Sequence, residues 1–231
     1  MQINGAKQVI AGALKAGQKA LSEYDSKRVL SAYGVPVAFE RLAPTAEAAS
    51  DIAEKMGYPV VLKGCSPNLL HKTEAGLIEI GIGSSKELAK AYKDLLVRAG
   101  ENYDGTFLVQ KMLKGQRELM IGMTRDKQFG PSVMFGLGGI FTEVFRDICF
   151  RLAPLKIRDA QQMMNEIRST RILDAVRGMP KVDRQILSRA IVGVGRAAID
   201  NPEIIEIDIN PLIVVGSKPI AVDGLIVLKA Q

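Results

Sequence analysis

Lys63 closes a short apolar run, Val60-Val61-Leu62, and a lysine at a strand end can lay its ammonium against a polyphosphate as a point charge. Far along the chain the sequence reads Ile205-Glu206-Ile207-Asp208-Ile209-Asn210-Pro211-Leu212 and then Val222-Asp223-Gly224. Successive side chains of a strand point to opposite faces. Ile205, Ile207 and Ile209 are therefore expected to face a core, with Glu206, Asp208 and Asn210 together on the other face. A hairpin loop at Gly216-Ser217-Lys218-Pro219 would return Asp223 opposite Leu212 and beside Asn210. Carboxylates and an amide oxygen gathered in this way suit a hard cation such as Mg²⁺, which shares its oxygens with substrate phosphates. A half-buried strand with its polar face in water shows the same alternation, so the pattern alone leaves both readings open.

His71 is the single histidine of the chain and lies in the polar stretch Ser66-Pro67-Asn68-Leu69-Leu70-His71-Lys72-Thr73-Glu74-Ala75-Gly76. Proline, asparagine and glycine make that stretch a loop. A neutral imidazole is a competent nucleophile near pH 7, and Lys72 would attract an incoming phosphoryl group. A solvent-exposed histidine is the plain alternative. No second histidine or cysteine stands at a metal-ligand spacing. Gly136-Leu137-Gly138-Gly139 serves equally as a phosphate-cradling loop or as a tight bend between lobes. Arg125, Arg146 and Arg151 are candidate phosphate clamps. Lysine, acidic cluster and histidine together point to nucleotide-dependent phosphoryl transfer.

These residues need a scaffold that brings distant segments together. Residues 6–33 read as helical, with a restart near Ser22. Pro44-Thr45 opens a helix whose Ala46, Ala49, Ile52, Ala53 and Met56 form one face. Strands follow at Val60–Lys63 and Leu77–Ile82. A helix then runs from Ser84-Ser85 to about Arg98, followed by a strand at Phe107–Met112. The second half opens with a hairpin, Glu118–Thr124 and Pro131–Phe135, joined by the turn Arg125–Gly130. Helices near 158–168 and 183–199 precede strands at 204–209 and 220–228. Mixed order with hairpins predicts two α+β lobes, residues 1–114 and 115–231, rather than a doubly wound sheet.

Composition narrows the partners. The 231 residues are 47% hydrophobic and 24% charged, an ordinary globular balance with no apolar run of membrane-spanning length. The net charge of +6 is dispersed among carboxylates, and no aromatic-basic interleaving suggests base stacking. Neither nucleic acid nor membrane is expected as a partner, whereas an anionic small ligand is. Two cysteines in unrelated contexts form no disulfide framework, and the expected compartment is the cytoplasm.

In order along the chain, Pro59-Val60-Val61-Leu62-Lys63, the Leu70–Gly76 loop, Phe129-Gly130-Pro131 with Gly136–Gly139, Arg151-Leu152-Ala153-Pro154-Leu155 and Asp208-Ile209-Asn210-Pro211-Leu212 resemble the ATP-grasp portion of the ADP-forming (NDP-forming) acyl-CoA synthetases. They are more distantly similar to the succinyl-CoA synthetase β subunit. The resemblance runs from about Leu21 to Leu228. It implies an ATP-grasp fold that holds nucleotide between two α+β lobes. It further implies that Lys63 contacts the nucleotide phosphates, that Val109, Gln110, Lys111 and Met112 form the adenine hinge, and that Glu118 lies near the nucleotide. Asp208, Asn210 and Asp223 match the Mg²⁺ positions; Gly138, Gly139, Arg125 and Arg151 are weaker phosphate-positioning candidates. His71 matches a histidine that accepts a phosphoryl group from a first histidine on a CoA-binding part and passes it to ADP. Ala75-Gly76 stands where many relatives have two glycines. The chain carries no CoA-binding Rossmann domain. It is therefore expected to be a β subunit that works with an α partner, as an α2β2 assembly, and Met1 and the final hairpin favour that over a fragment of a fused synthetase. A regulatory module of a protein-acetyltransferase-type relative and a noncatalytic nucleotide binder are the alternative functions.

Overall fold

The computed structural model describes residues 1–69, 75–139 and 147–229. Two antiparallel sheets organise it. The smaller has four strands: β1 (Glu40–Ala43), β2 (Val60–Cys65), β3 (Ile78–Ile82) and β4 (Thr106–Lys111), in the order β1-β4-β2-β3. Helices α3 (Ala46–Met56) and α4 (Ser85–Ala99) cover it, burying Ala49, Ala53, Leu62, Leu88, Leu95, Phe107 and Val109 in one core. Both helices begin on the side-chain caps their sequences suggest. Thr45 Oγ1 accepts from Ala48 N at 3.1 Å, and Ser84 Oγ accepts from Glu87 N at 3.3 Å.

The larger sheet runs β10-β8-β5-β6-β7, with β9 also paired to β8. Its strands are β5 (Glu118–Asp126), β6 (Gly130–Leu137), β7 (Ile148–Leu152), β8 (Ile204–Val215), β9 (Lys218–Ala221) and β10 (Leu225–Leu228). Helices α5 (Ile157–Glu166) and α6 (Arg184–Asp200) pack on one face, over Met123, Val133, Ile207 and Ile209. Two α+β lobes are therefore present, as the mixed element order predicts.

The N-terminal segment does not sit with the small sheet. Helices α1 (Ile3–Lys15) and α2 (Glu23–Ala32) bury Ala6, Ile10, Val29 and Leu30 in the core of the larger sheet. The chain between and after them is stitched there too: Leu21 N donates to Ile226 O, and Ala221 N to Pro36 O. The division expected at residue 114 thus assigns roughly the first 37 residues to the other lobe. An amphipathic helix announces that it has an apolar face, not which core that face will join. Strand β1 carries no β-branched residue and no alternation, and sequence reading passed over it. Among the described residues no helix is long and apolar enough to cross a membrane.

Candidate active site

Strand β8 places the acidic cluster. Ile207 pairs with Met123 and Ile226, all buried, whereas Asp208 pairs with Gly122 and Leu225. Partners across a ladder share a face, so Asp208 points away from the helix-covered core. The expected core set is off by one position at its start. Val227 pairs with Glu206 and Leu228 with Ile204, so Ile205 is the extra residue of a bulge and lies exposed while Ile204 is buried.

The return of the chain also differs from expectation. The turn is at Gly216-Ser217, with Val215 opposite Lys218 and Leu212 opposite Ala221. Below the break, Asp208 stands opposite Leu225. These registers put Asp223, in the connection between β9 and β10, across from Asn210 rather than Leu212. The shift brings the two carboxylates closer to one another than the sequence suggested. Burial pushes the Asp208 carboxyl up from 3.8 to about 6, and the Asp223 and Glu206 charges push in the same direction. A divalent cation would relieve such a gathering of like charge. Asp208 and Asp223, with Asn210 nearby, fit the donor set of a Mg²⁺ that completes its shell with water and phosphate oxygens. Among the described residues no group of three or more His, Cys, Asp or Glu side chains forms a metal cage.

The glycine bend lies against this cluster. Gly139 N donates to Asn210 Oδ1 at 2.8 Å, and Gly138 N donates to Glu118 O at 2.9 Å. A Cβ at Gly138 would strike the Leu119 carbonyl, and one at Gly139, whose φ is +62°, would strike the Glu118 carboxylate. Glycine is required here by close approach and by backbone conformation alike. Glu118, Gly138, Gly139 and Asn210 are thus brought together.

Lys63 is buried rather than held out at an open strand end. Strand β2 lies between β4 and β3, and Lys63 is 3% exposed. Its Nζ donates to Glu23 Oε1 at 2.7 Å, to Val222 O at 2.7 Å and to Gln110 Oε1 at 3.3 Å. It therefore meets the larger lobe at the residue preceding Asp223. Burial holds the Lys63 ammonium below its usual range; Glu23 opposes that shift and the neighbouring Lys27 adds to it. Lys27, fully buried on α2, donates to Glu23 Oε1 and Gln110 Oε1 at 2.7 Å each and is ion-paired with Glu40. Burial disfavours its charge too, but Glu23 and Glu40 together outweigh it and raise Lys27. Glu23, Lys27 and Glu40 were missed in the sequence. Glu23 and Lys27 stand four apart on a helix, a spacing that ordinarily marks a surface pair, and Glu40 lies in the strand that was passed over.

The hinge candidates divide. Val109 lies inside the small sheet, paired on both sides, with its side chain in the core. Gln110 joins the buried lysines. Lys111 and Met112 stand at the strand's end, where Lys111 N donates to Phe39 O at 2.9 Å and Met112 N to Pro59 O at 3.3 Å.

Two arginines are not brought to the site. The Arg125 guanidinium binds the carbonyls of Ala198, Asn201 and Ile204, closing the C-terminus of α6. It stands seven residues along β5 from Glu118, about 23 Å at strand spacing. Arg151 pairs with Val133 in the ladder, on the helix-covered face opposite Asp208, and its guanidinium is ion-paired with Glu166 on α5. A guanidinium already saturated by carbonyls or a carboxylate is not poised to clamp phosphate. His71 and Arg146 lie outside the described residues.

Residues 12–228 match the ATP-grasp domain family. The Pyrococcus furiosus "Acetate--CoA ligase [ADP-forming] I subunit beta" is 40% identical over 228 residues, covering 96% of this chain and 97% of that one. The Archaeoglobus fulgidus "Acetate--CoA ligase [ADP-forming] I" is 38% identical over 98% of this chain, which spans only 33% of that longer protein. The Ca. Korarchaeum cryptofilum dinucleotide-forming acetyl-coenzyme A synthetase 1, in complex with coenzyme A, Ca-AMPCP and HgCl+, matches with TM-score 0.91 and 38% identity. The match covers 97% of this chain and 100% of that chain. The same synthetase with coenzyme A and Mg-AMPPCP, its phosphohistidine segment pointing towards the nucleotide binding site, matches with TM-score 0.85 and 38% identity over the same shares. Two sheets with a lysine from one reaching the β9–β10 connection of the other, over a sequence matched almost throughout, define an ATP-grasp protein. Within that class the chain belongs to the family of the ADP-forming acetate–CoA ligase β subunits. The name "subunit beta" implies a partner subunit in those proteins.

Proposed function

We propose that this chain is the nucleotide-handling subunit of an ADP-forming acyl-CoA synthetase, with acetyl-CoA the expected thioester. The overall reaction is acyl-CoA, phosphate and ADP giving the acid, free CoA and ATP. The observation that carries the reading is the convergence of two lobes: Lys63 of the small sheet donates to the Val222 carbonyl, the residue before Asp223, which stands beside Asp208 and Asn210 on the large one. Phosphoryl transfer needs charge neutralised on the moving group and reactants held in line, which is what cations and preorganised donors from two sides supply. Asp208, Asp223 and Asn210 would hold Mg²⁺, which when bound neutralises charge on the phosphates. Lys63 supplies a second positive charge. Lys111 and Met112, at the end of β4, would border the base. Gly138 and Gly139 bring backbone close to the phosphate end.

His71 would carry the phosphoryl group. A P–N bond forms at its imidazole as the bond to the partner's phosphohistidine breaks, and it breaks in turn as ADP is phosphorylated. A phosphoramidate is reactive enough for that second step, whereas a serine ester is not. The similarity to a synthetase with a phosphohistidine segment supports this route. The α partner would carry the CoA-binding domain and the first phosphohistidine, in an α2β2 assembly. This chain matches 33% of the single-chain Archaeoglobus relative, and the remaining length of that relative supports a partner that carries further domains.

The test uses the complex with its α partner, acetyl-CoA and radioactive phosphate. The chain should acquire acid-labile, base-stable label that added ADP discharges, and His71→Ala should acquire none. Full turnover in His71→Ala would show direct transfer from the partner to ADP. Rapid acyl-CoA cleavage by this chain alone would overturn the division of labour.

A further inference from the structure

Asp104, in the connection between α4 and β4, fastens the turn from which the segment carrying His71 departs. One of its carboxylate oxygens accepts from Ser66 Oγ at 2.7 Å and the other from Asn68 Nδ2 at 2.6 Å. Those two bonds hold the Asp104 carboxyl below the usual carboxylate range. Ser66 Oγ accepts in turn from Asn68 N at 3.1 Å, and Leu69 N donates to Ser66 O at 3.2 Å. Leu69 then packs on the small core. The carboxylate is firmly based: the neighbouring Tyr103 Oη accepts from Cys65 N and donates to Thr106 O, at 2.7 Å each. The far end is tied as well. In the last turn of α4, Arg98 Nη1 donates to Gly76 O at 2.9 Å, and Leu77, buried in the small core, accepts from Gly64 N at 2.8 Å. His71 is the second residue past Leu69, and two residues of chain span at most about 7 Å. Where the Ser66–Leu69 turn sits therefore decides what the imidazole can reach.

We propose that Asp104 is a positioning residue for phosphoryl transfer: by fastening Ser66 and Asn68 it fixes the point from which His71 meets its two reactants in turn. Asp104 and Asn68 are exposed, so their hydrogen bond competes with water and adds little to the stability of the fold. What it supplies is geometry. A nucleophile held in place meets its reactant at high effective concentration, and a loosely held one does not. Untying the turn leaves the imidazole chemically intact but spreads it over many positions. Both transfers, into His71 and out of it to ADP, then slow, while the nucleotide site at Asp208 and Asp223 is untouched. This inference rests on the reading of His71 as the phosphoryl carrier given above.

The test follows the rates of labelling from acetyl-CoA and radioactive phosphate, and of discharge by ADP, in the complex with the α partner. It compares wild type, Asp104→Ala, Asp104→Asn and Asn68→Ala, and calorimetry on each chain gives its Mg·ADP affinity. Asp104→Ala should slow both rates by about tenfold or more, with Mg·ADP affinity and the final extent of labelling unchanged. Asp104→Asn keeps an acceptor for Ser66, and the Asn68 amide can turn over to accept from the new amide. That variant should stay within about threefold of wild type in both rates. Wild-type rates in Asp104→Ala overturn the inference. Equal slowing in Asp104→Ala and Asp104→Asn also overturns it, because the charge and not the fastening would then matter. So does a loss of Mg·ADP affinity in parallel with the rates, which marks a general loosening of the small lobe. If Asp104→Ala does not fold, Asn68→Ala, at an exposed position, decides: it removes one of the two fastenings and should slow both rates. Absence of label in wild type would instead refute His71 as the carrier, and with it the inference.

Discussion

Asp208→Asn should make the metal-free chain more stable. The Asp208 carboxyl is largely out of water, beside Asp223 and Glu206, and titrates near 6 instead of 3.8. The folded chain therefore holds that proton more tightly than the unfolded chain. The stability this contributes is fully present below about pH 3.8 and is lost as pH rises through about 6. At about 1.36 kcal/mol per pH unit, the ionised carboxylate leaves the fold on the order of 3 kcal/mol less stable at pH 8. Asparagine keeps the shape and one oxygen and removes the charge. The variant should gain up to about 3 kcal/mol at pH 8 and roughly half of that at pH 5. For a chain of this size that is roughly 6–12 °C in Tm at pH 8.

Thermal unfolding in a chelator, at both pH values, with and without Mg·ADP, reads all of this. Wild type should gain most of the ligand stabilisation and the variant little, because the group whose removal stabilises the empty fold is the one that binds. A variant that is less stable than wild type at pH 8 without metal would refute the electrostatic argument. Equal Mg·ADP stabilisation of both proteins would refute the placement of the cation.

Glu206→Ala should lower Mg·ADP affinity by less than about threefold, since an exposed carboxylate is well screened by water; a loss larger than that of Asp208→Asn would relocate the metal. Gly139→Ala should destabilise the fold by about 1–3 kcal/mol, from a positive φ that alanine resists, and also weaken nucleotide binding, because the new methyl displaces Glu118. Denaturant melts and calorimetry measure the two effects separately. Arg125→Ala should cost about 2–4 kcal/mol by orphaning carbonyls at the end of α6, and leave Mg·ADP affinity unchanged. Weakened affinity with unchanged stability would return Arg125 to the site.

The acidic strand was legible because a strand's period of two is rigid. Once Ile207 and Ile209 are assigned to a core, Asp208 and Asn210 have no choice of face. The hairpin turn was centred one residue late, which moves each cross-strand partner by two, because Gly216-Ser217-Lys218-Pro219 offers several places to reverse and sequence does not rank them. Asp223 survived the error because a shift of two keeps a residue on its face. Gly138 and Gly139 looked equally like a phosphate loop or a bend; what singles them out is the approach of Leu119 and Glu118 from β5, which only the fold reveals. Arg125 and Arg151 were misread for one reason. An arginine's five donors advertise anion binding, yet carbonyls at a helix end or a carboxylate on the next element satisfy them equally well.

Lys63 teaches the opposite lesson. Its residue type and strand-end position suggested an ammonium held out to a polyphosphate, whereas it is one of two lysines in a buried polar knot. That knot explains how two separate cores keep their functional groups in register. Glu23 and Lys27 ride on α2, which is anchored in the large core; Glu40, Lys63 and Gln110 project from three strands of the small one. The Lys27–Glu40 pair crosses from one lobe to the other without using Lys63. A small-lobe movement that separated Lys63 from Asp208 would first have to break that buried pair, and breaking one partner of such a pair costs about 3–5 kcal/mol.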